Sequence, residues 1–343
     1  MTPEPRVAVV VVAYNGGYEL LECVRSLLAQ TVRDLEVLVV DNASTDGSIE
    51  RLEAAFGGDI RVVRRATNGG YAAGANTGWR ATDAPIVVVA NQDMTFVPDC
   101  LEQMERALLA HDGEALVTPK IVMKSDPARV NAIGNDVHVS GVAWCHGLGT
   151  WADDWHGVVE VTAISGAAFM APRSVLDRLS GLEEAYFMYM EDVDLSLRAR
   201  ISGIVSLAAC DAVATHDWSL SLTPWKFALL ERNRRNLWRR FIGPSRGLWL
   251  ALVQAEAMAW AYAALHGREF ATAKWRVRRT SLPLESAWDQ IGVLLPYLSR
   301  RHPYEVLFPE SRLVALAGGA VDTVVGWYLR AMLRRVEPLR RSR

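Results

Sequence analysis

Cysteine is scarce: Cys23, Cys100, Cys145 and Cys210 are the only four in 343 residues, and no two form a C-x-x-C pair. Neither a zinc cluster nor a disulfide framework is indicated, and a reducing compartment is expected. A leader-like start is missing too. The chain opens Met-Thr-Pro-Glu-Pro-Arg and then gives only a short apolar run, Val7–Ala13, with no basic stretch before it and no small-residue cleavage site after it. A cytoplasmic location is the expectation. Clean apolar runs of spanning length are also lacking: Leu248–Leu265 carries Gln254 and Glu256 near its middle, and residues 313–329 contain Asp322. A spanning helix needs about 20 apolar residues and is penalised by a central carboxylate, so both segments are expected to lie at an interface or in a core. A dinucleotide fingerprint is absent as well, because Gly69, Gly70 and Gly74 have the wrong spacing and do not follow the first strand.

What is present is a globular composition, half apolar, with a formal net charge of only −2 that conceals a segregation. Residues 1–224 hold 16 Lys+Arg against 30 Asp+Glu, and residues 225–343 hold 21 against 9. The first part suits a site for divalent cations; the second suits phosphate-rich surfaces, of which anionic lipid is preferred and nucleic acid is not expected. Seven of the twelve tryptophans lie from Trp225 onward, interleaved with arginine as in Trp238-Arg239-Arg240 and Trp275-Arg276. Such interleaving suits the headgroup layer of a membrane, although a helical bundle with a basic face reads the same way. Two domains are expected, 1–224 and 225–343, the second helical.

The first part alternates strand and helix signals. Val7–Ala13 is continuous and β-branched, as in a parallel strand covered on both faces. Leu20, Leu21, Val24, Leu27 and Leu28 follow at helical spacing, and residues 35–40, 60–63 and 86–90 read as further strands. Ser48 is expected to cap the helix 49–56. The alternation predicts an α/β fold with a doubly wound, mostly parallel sheet, which binds ligands beyond the carboxyl ends of its strands. Polar clusters stand there: Tyr14-Asn15, Asp41-Asn42, Asn68-Gly69-Gly70 and Asp93. Between about residues 102 and 165 the pattern weakens and no strand can be placed. Residues 166–171 then read as a strand, and Glu191-Asp192-Val193-Asp194 as an acidic helix start.

In order, the chain shows VVVVAYNGG, VVDNASTDGS, NGGYAAGAN, NQD, SGAAFMAPRSV, MEDVDLSLR and His216. This series resembles the family 2 glycosyltransferases of GT-A fold, especially the bacterial rhamnosyltransferase-like branch, over residues 7 to about 220. The resemblance implies a metal-dependent, inverting transferase using a nucleotide-sugar donor. It implies a donor pocket of Ala13, Tyr14, Asn15, Asp41, Asn68, Gly69, Gly70, Gly74, Asn76, Asn91, Gln92 and Asp93, in which the Asp41 carboxylate can accept the N3–H of uracil or thymine. NQD stands where the family has Asp-x-Asp, so Asp93 carries the metal ligation of that motif, with His216 as a further ligand; Mg²⁺ or Mn²⁺ is the implied cation. Asp192 is implied as general base, with Glu191 orienting the acceptor or nearby loops. Asp194 is better read as a helix-dipole residue. Tyr186, Phe187, Tyr189 and Trp218 are candidates for a sugar-stacking wall or for aromatic core. The expected reaction is transfer of a sugar, rhamnose from its thymidine diphosphate form being preferred, to a cell-envelope glycan or lipid-linked acceptor, by an enzyme peripheral on the cytoplasmic face of the membrane. A UDP-hexose transferase, a polyprenyl-phosphate glycosyltransferase and a non-enzymatic nucleotide-binding scaffold remain as alternatives.

Overall fold

The computed structural model describes residues 5–216, 222–243, 248–277 and 279–299. The described chain divides into two compact units, one of residues up to 135 together with 145–216, the other of residues 136–144 together with those from 222 onward.

The first unit begins with strand β1 (Val7–Ala13), helix α1 (Glu19–Leu28), β2 (Leu35–Asp41), α2 (Ser48–Phe56), β3 (Arg61–Arg64), α3 (Gly70–Arg80) and β4 (Ile86–Asn91). β1 pairs in parallel with both β2 and β4, and β2 with β3, so this half of the sheet has the expected parallel order. Alternate side chains of β1 serve two cores. Val7, Val9 and Val11 pack with Leu20, Val24 and Leu27, whereas Val10 and Val12 meet Tyr71, Ala72 and Trp79. Each such burial is worth roughly 1.5–3 kcal/mol, and the two-sided demand explains an unbroken valine run. α3 lies very close to β1: a Cβ on Gly78 would come 2.1 Å from Val10 Cγ1, and one on Gly74 would come 2.6 Å from Val12 Cγ1.

The unit continues with β5 (Met94–Phe96), α4 (Cys100–Leu109), β6 (Ala115–Met123) and β7 (Asp126–Ala132). The short hairpin strands β8 (Asn135–Val137) and β9 (Ala143–Cys145) follow in the chain but fall mostly in the second unit, and the first resumes with β10 (Val158–Val161), β11 (Ala168–Pro172), α5 (Arg173–Leu179), α6 (Glu191–Ile201) and β12 (Val205–His216). Strands thus occupy much of the stretch in which the sequence pattern placed none. β6 escaped notice because eight of its nine residues are buried, Thr118, Pro119 and Lys120 among them, so no alternation marks it. In the order β10-β12-β6-β11-β4-β1-β2-β3, β11 runs antiparallel to β4, and β12 is parallel to β6 but antiparallel to β5. The second half of the sheet is therefore mixed. Ser48 is not the cap of α2 but its first residue: Gly47 stands at the N-cap, and the Ser48 hydroxyl donates to Asp46 Oδ1 at 2.6 Å.

The second unit contains α7 (Pro224–Leu237), α8 (Leu248–Leu265), α9 (Arg268–Val277) and α10 (Ile291–Leu294). Thr223 caps α7, accepting from Lys226 N–H. Residues 313–329, Asp322 and Trp218 lie outside the described residues.

Candidate active site

Register brings the first group of polar residues together. Ala13 is paired with Asp41, and Val12 with Asn91, so β1, β2 and β4 end side by side. The loops beyond them are stitched. Tyr14 N–H donates to Gln92 Oε1 at 2.8 Å, Gln92 Nε2 returns a bond to Tyr14 O at 3.2 Å, and a Cβ on Gly16 would displace that side chain, since it would meet Gln92 Oε1 at 2.7 Å. Asn15 Oδ1 accepts from Thr45 N–H, and Asp41 Oδ1 from Ser44 N–H, both at 2.8 Å. The Tyr14 ring is left 46 % exposed beside a largely buried Asp41, a combination suited to stacking on a base while hydrogen-bonding its edge.

The glycine-rich segment behaves differently. Asn68 Oδ1 accepts from Gly70 N–H at 2.9 Å, and Gly70 sits at φ +85° with its Cα against Phe187 O, 2.2 Å from where a Cβ would stand. Gly74 faces Val12, and Gly69 has Arg65 Nη2 2.6 Å from its would-be Cβ. Asn76 is buried and used up: Nδ2 donates to Leu182 O and Glu184 Oε1, and Oδ1 accepts from Trp79 Nε1 and Leu182 N–H. The geometry thus gives Gly74 and Asn76 packing and loop-holding contacts, where the motif had suggested a nucleotide-facing surface.

Asp93 and His216 meet because β5 pairs antiparallel with β12, which sets His216 opposite Met94. His216 Nε2 lies 3.3 Å from Asp93 Oδ1, and Asn131 turns its Oδ1 to the other ring nitrogen at 3.2 Å. With Nδ1–H donating to Asn131, Nε2 faces a carboxylate oxygen, an arrangement satisfied either by a proton on Nε2 or by a cation held between the two atoms. Asp93 Oδ1 is buried and has no hydrogen-bond partner. The pair fits a divalent cation, whose neighbouring ligands stand about 3 Å apart at Mg²⁺-like bond lengths. No group of three His, Cys, Asp or Glu side chains placed to hold a metal ion occurs among the described residues, so substrate oxygens and water would complete the shell.

α6 opens with Glu191 and Asp192 after a strained approach. Phe187, Tyr189 and Met190 have φ of 69°, 67° and 74°, a left-handed conformation that costs such residues about 1–3 kcal/mol each and clusters at functional sites. Asp192 Oδ2 accepts from Gly166 N–H at 2.7 Å and Asn135 Nδ2 at 3.0 Å, and Oδ1 from Val193 N–H at 2.8 Å. A carboxylate has about four acceptor positions, so one remains, on Oδ1. Burial raises the Asp192 carboxyl, with these donors opposing it. Burial lifts Glu191 well above the usual range, the neighbouring Asp192 and Asp194 charges adding to it; its Oε2 is buried and unpartnered. Asp194 is structural, bound by Tyr186 Oη at 3.1 Å and Arg198 Nε at 2.6 Å. Tyr186 is accordingly core, whereas Phe187 and Tyr189 are half-buried. Asn135, Gly166 and Tyr71, whose hydroxyl donates to Gly166 O at 2.5 Å, hold the site together. Sequence reasoning passed over all three, since nothing local marks an Asn that closes a contact 57 residues away.

Residues 8–136 match the model of glycosyl transferase family 2. That match spans β1 through the start of the β8 hairpin, a little over a third of the chain. The N-acetylglucosaminyl-diphospho-decaprenol L-rhamnosyltransferase of Mycobacterium tuberculosis is 29 % identical over 230 residues, 61 % of this chain and 75 % of that one. Among solved structures, GalNAc-T7 with UDP, GalNAc and Mn²⁺ aligns with a TM-score of 0.59 at 14 % identity, covering 82 % of this chain and 56 % of that one. The mannosyltransferase PcManGT of Pyrobaculum calidifontis, in complex with GDP-Man and Mn²⁺, aligns at 0.51 and 19 % identity, over 97 % and 84 %. At such identities the structures establish the fold, GT-A. Both of those neighbours hold a nucleoside diphosphate, UDP in one and GDP-Man in the other, together with Mn²⁺.

Proposed function

We propose that this chain transfers rhamnose from its thymidine diphosphate form, with inversion, to a polyprenyl-diphosphate-linked glycan at the cytoplasmic face of the membrane. Residues 1–224 would form the catalytic domain and residues 225–343 the membrane-associating region. The observation that carries the reading is that a cation-ready pair and a tethered base serve one site. Asn91 N–H, two residues before Asp93, donates to Ala167 O at 2.8 Å, and the adjoining Gly166 N–H donates to Asp192 Oδ2 at 2.7 Å, so one turn joins the strand end that carries Asp93 to the carboxylate of Asp192. The transferred rhamnosyl group and the lipid-linked acceptor are supported by the mycobacterial relative, whose name states both.

Asp93 and His216 would hold the cation, which when bound neutralises charge on the donor diphosphate. Asp41 and Tyr14 would bind the base. Asp192, its Oδ2 fixed by Gly166 and Asn135, takes the proton of the acceptor hydroxyl on Oδ1. The hydroxyl oxygen then bonds to the anomeric carbon from the face opposite the diphosphate, and the carbon–oxygen bond to the diphosphate breaks with its electron pair on the leaving oxygen. One displacement inverts the anomeric centre. Burial favours this role, because a carboxylate with a raised pKa is a stronger base.

The test is a donor panel (the thymidine diphosphate rhamnose donor, UDP-glucose, UDP-N-acetylglucosamine and GDP-mannose) with a short-chain N-acetylglucosaminyl-diphospho-polyprenol, with Mn²⁺ or with EDTA. Rhamnosyl transfer with inverted configuration, abolished by EDTA, is expected. Turnover of another donor would overturn the donor assignment, and undiminished turnover in EDTA would overturn the cation.

A further inference from the structure

Helix α8 presents a conflict between composition and exposure. Its 18 residues are apolar nearly all round, yet only 28 % of them are buried. The buried ones, Leu248, Ala251, Ala255, Ala259 and Ala263, form a single stripe four residues apart after the first, and Ala259 and Ala263 pack on Phe227. On the other side Trp249 is 52 % exposed, Leu250 36 %, Val253 50 %, Trp260 36 % and Leu265 74 %. Trp275 of α9, itself 57 % exposed, joins this face, its ring 6.4 Å from that of Trp260. A helix apolar all round belongs in a protein core or in lipid, and an apolar patch of this kind on a water-facing surface marks an interaction site.

The polar residue at the middle of α8 decides the orientation. Glu256 is not free to face lipid: it is bonded by Arg234 Nη2 at 2.6 Å, Lys274 Nζ at 2.9 Å and Arg235 Nε at 3.1 Å. Those partners lie on α7 and α9, so the side of α8 that carries Glu256, Ala259 and Ala263 is committed to protein neighbours, whereas the residues of α8 left exposed are all apolar. Such a helix is built to lie along an interface, whereas a span needs apolar surroundings on every side. Exposed Arg276 follows Trp275 directly and exposed Arg279 comes three residues later, and the chain from residue 225 has 21 Lys+Arg against 9 Asp+Glu. Indole rings seek the headgroup level, and guanidinium groups pair with lipid phosphate.

We infer that the outer face of α8, with Trp275, is the surface that seats this chain on an anionic bilayer, the helix axis lying in the plane of the headgroups. The inference rests on the proposed lipid-linked acceptor for its purpose and on the face itself for its geometry. Binding then has two components. The arginines supply a Coulombic part that falls as the Debye length shrinks from about 8 Å at 0.15 M salt to about 3 Å at 1 M. The Trp249, Val253 and Trp260 side chains supply an apolar part that salt does not screen.

The experiment uses the full chain with vesicles of phosphatidylcholine, with or without phosphatidylglycerol, and the variants Val253→Glu and Trp260→Glu. Wild type is expected to sediment with the anionic vesicles, to be released in part by 1 M salt and fully by mild detergent, and to show tryptophan quenching by lipids brominated near the headgroup. Each variant should bind the vesicles at least about tenfold more weakly, the effect of losing roughly 1.4 kcal/mol. Its melting temperature and its turnover of a water-soluble acceptor analogue should not change. Undiminished vesicle binding by both variants overturns the inference. So does resistance to alkaline carbonate, which means a span, and so does a wild-type dimer that dissociates in the variants without any vesicle binding, which makes a second copy the occupant. Vesicle binding that responds as expected in a protein that turns over no rhamnosyl donor leaves the inference standing and removes the proposed function instead.

Discussion

Two pairs of carboxylates, one in each unit and each with one buried and one half-buried member, are treated in opposite ways. Glu191 and Asp192 stand at the start of α6 with no cationic side chain bonded to either among the described residues, and burial raises both. Glu231 and Glu256 are bonded by Arg234 and Lys274, with Arg235 joining at Glu256; burial alone would raise them, but the cations prevail, so that Glu231 is lowered to about 2 and Glu256 is also depressed. A carboxylate denied a permanent counter-ion is kept ready for a proton in transit, while one saturated by cations contributes to the fold and has nothing left to donate or accept.

The sharpest way to break the comparison is at the unpaired site. Asp192→Asn keeps the shape and the contact to Val193 N–H but removes the base; kcat should fall at least about a hundredfold while donor affinity, read by nucleotide titration, stays within about twofold. An equal loss of affinity would move Asp192 into the donor pocket. At the paired site the corresponding change is thermodynamic. Lys274 is fully buried, and Lys274→Met leaves Glu231 and Glu256 short of one cation, so unfolding free energy should fall by about 3–5 kcal/mol. Adding Glu256→Gln to that variant should restore part of the loss, because the stranded charge is gone.

Isosteric neutralisation compares the two sites directly. Glu191→Gln should raise the melting temperature at pH 7, since a group whose folded pKa is raised destabilises the fold once pH exceeds its ordinary value. Glu231→Gln should lower the melting temperature. The lowered pKa of Glu231 means that its contribution is complete above the ordinary 4.5 and is lost as pH falls toward about 2. The gap between wild type and Glu231→Gln should therefore close across that window, and a gap independent of pH would show that the cations do not stabilise the charged form. The smallest effect is expected at Asn135. Asn135→Ala removes one of the donors that oppose burial at Asp192, so the acid limb of the kcat profile should move to higher pH, with the plateau little changed. A lowered plateau with an unmoved limb would make Asn135 a purely structural residue.

Much of this was written locally. Valine runs buried on both faces set the parallel strands, Asp41 and Asp93 marked strand ends, and the acidic triplet set the start of α6, because burial periodicity and helix-end electrostatics act over a few residues. What only the tertiary structure decided depends on which strand pairs with which. The β5–β12 pairing brings His216 to Asp93. The packing of Gly74 and Gly78 on β1 turns a glycine-rich motif into a helix–sheet contact. Asn135 reaches Asp192 across 57 residues. Glu256 shows the limit most clearly: in the sequence it is a charge that spoils an apolar helix, and only the fold supplies Arg234 and Lys274. Pattern reports the cost of burying a charge, but the partner that offsets that cost is a property of three-dimensional neighbours.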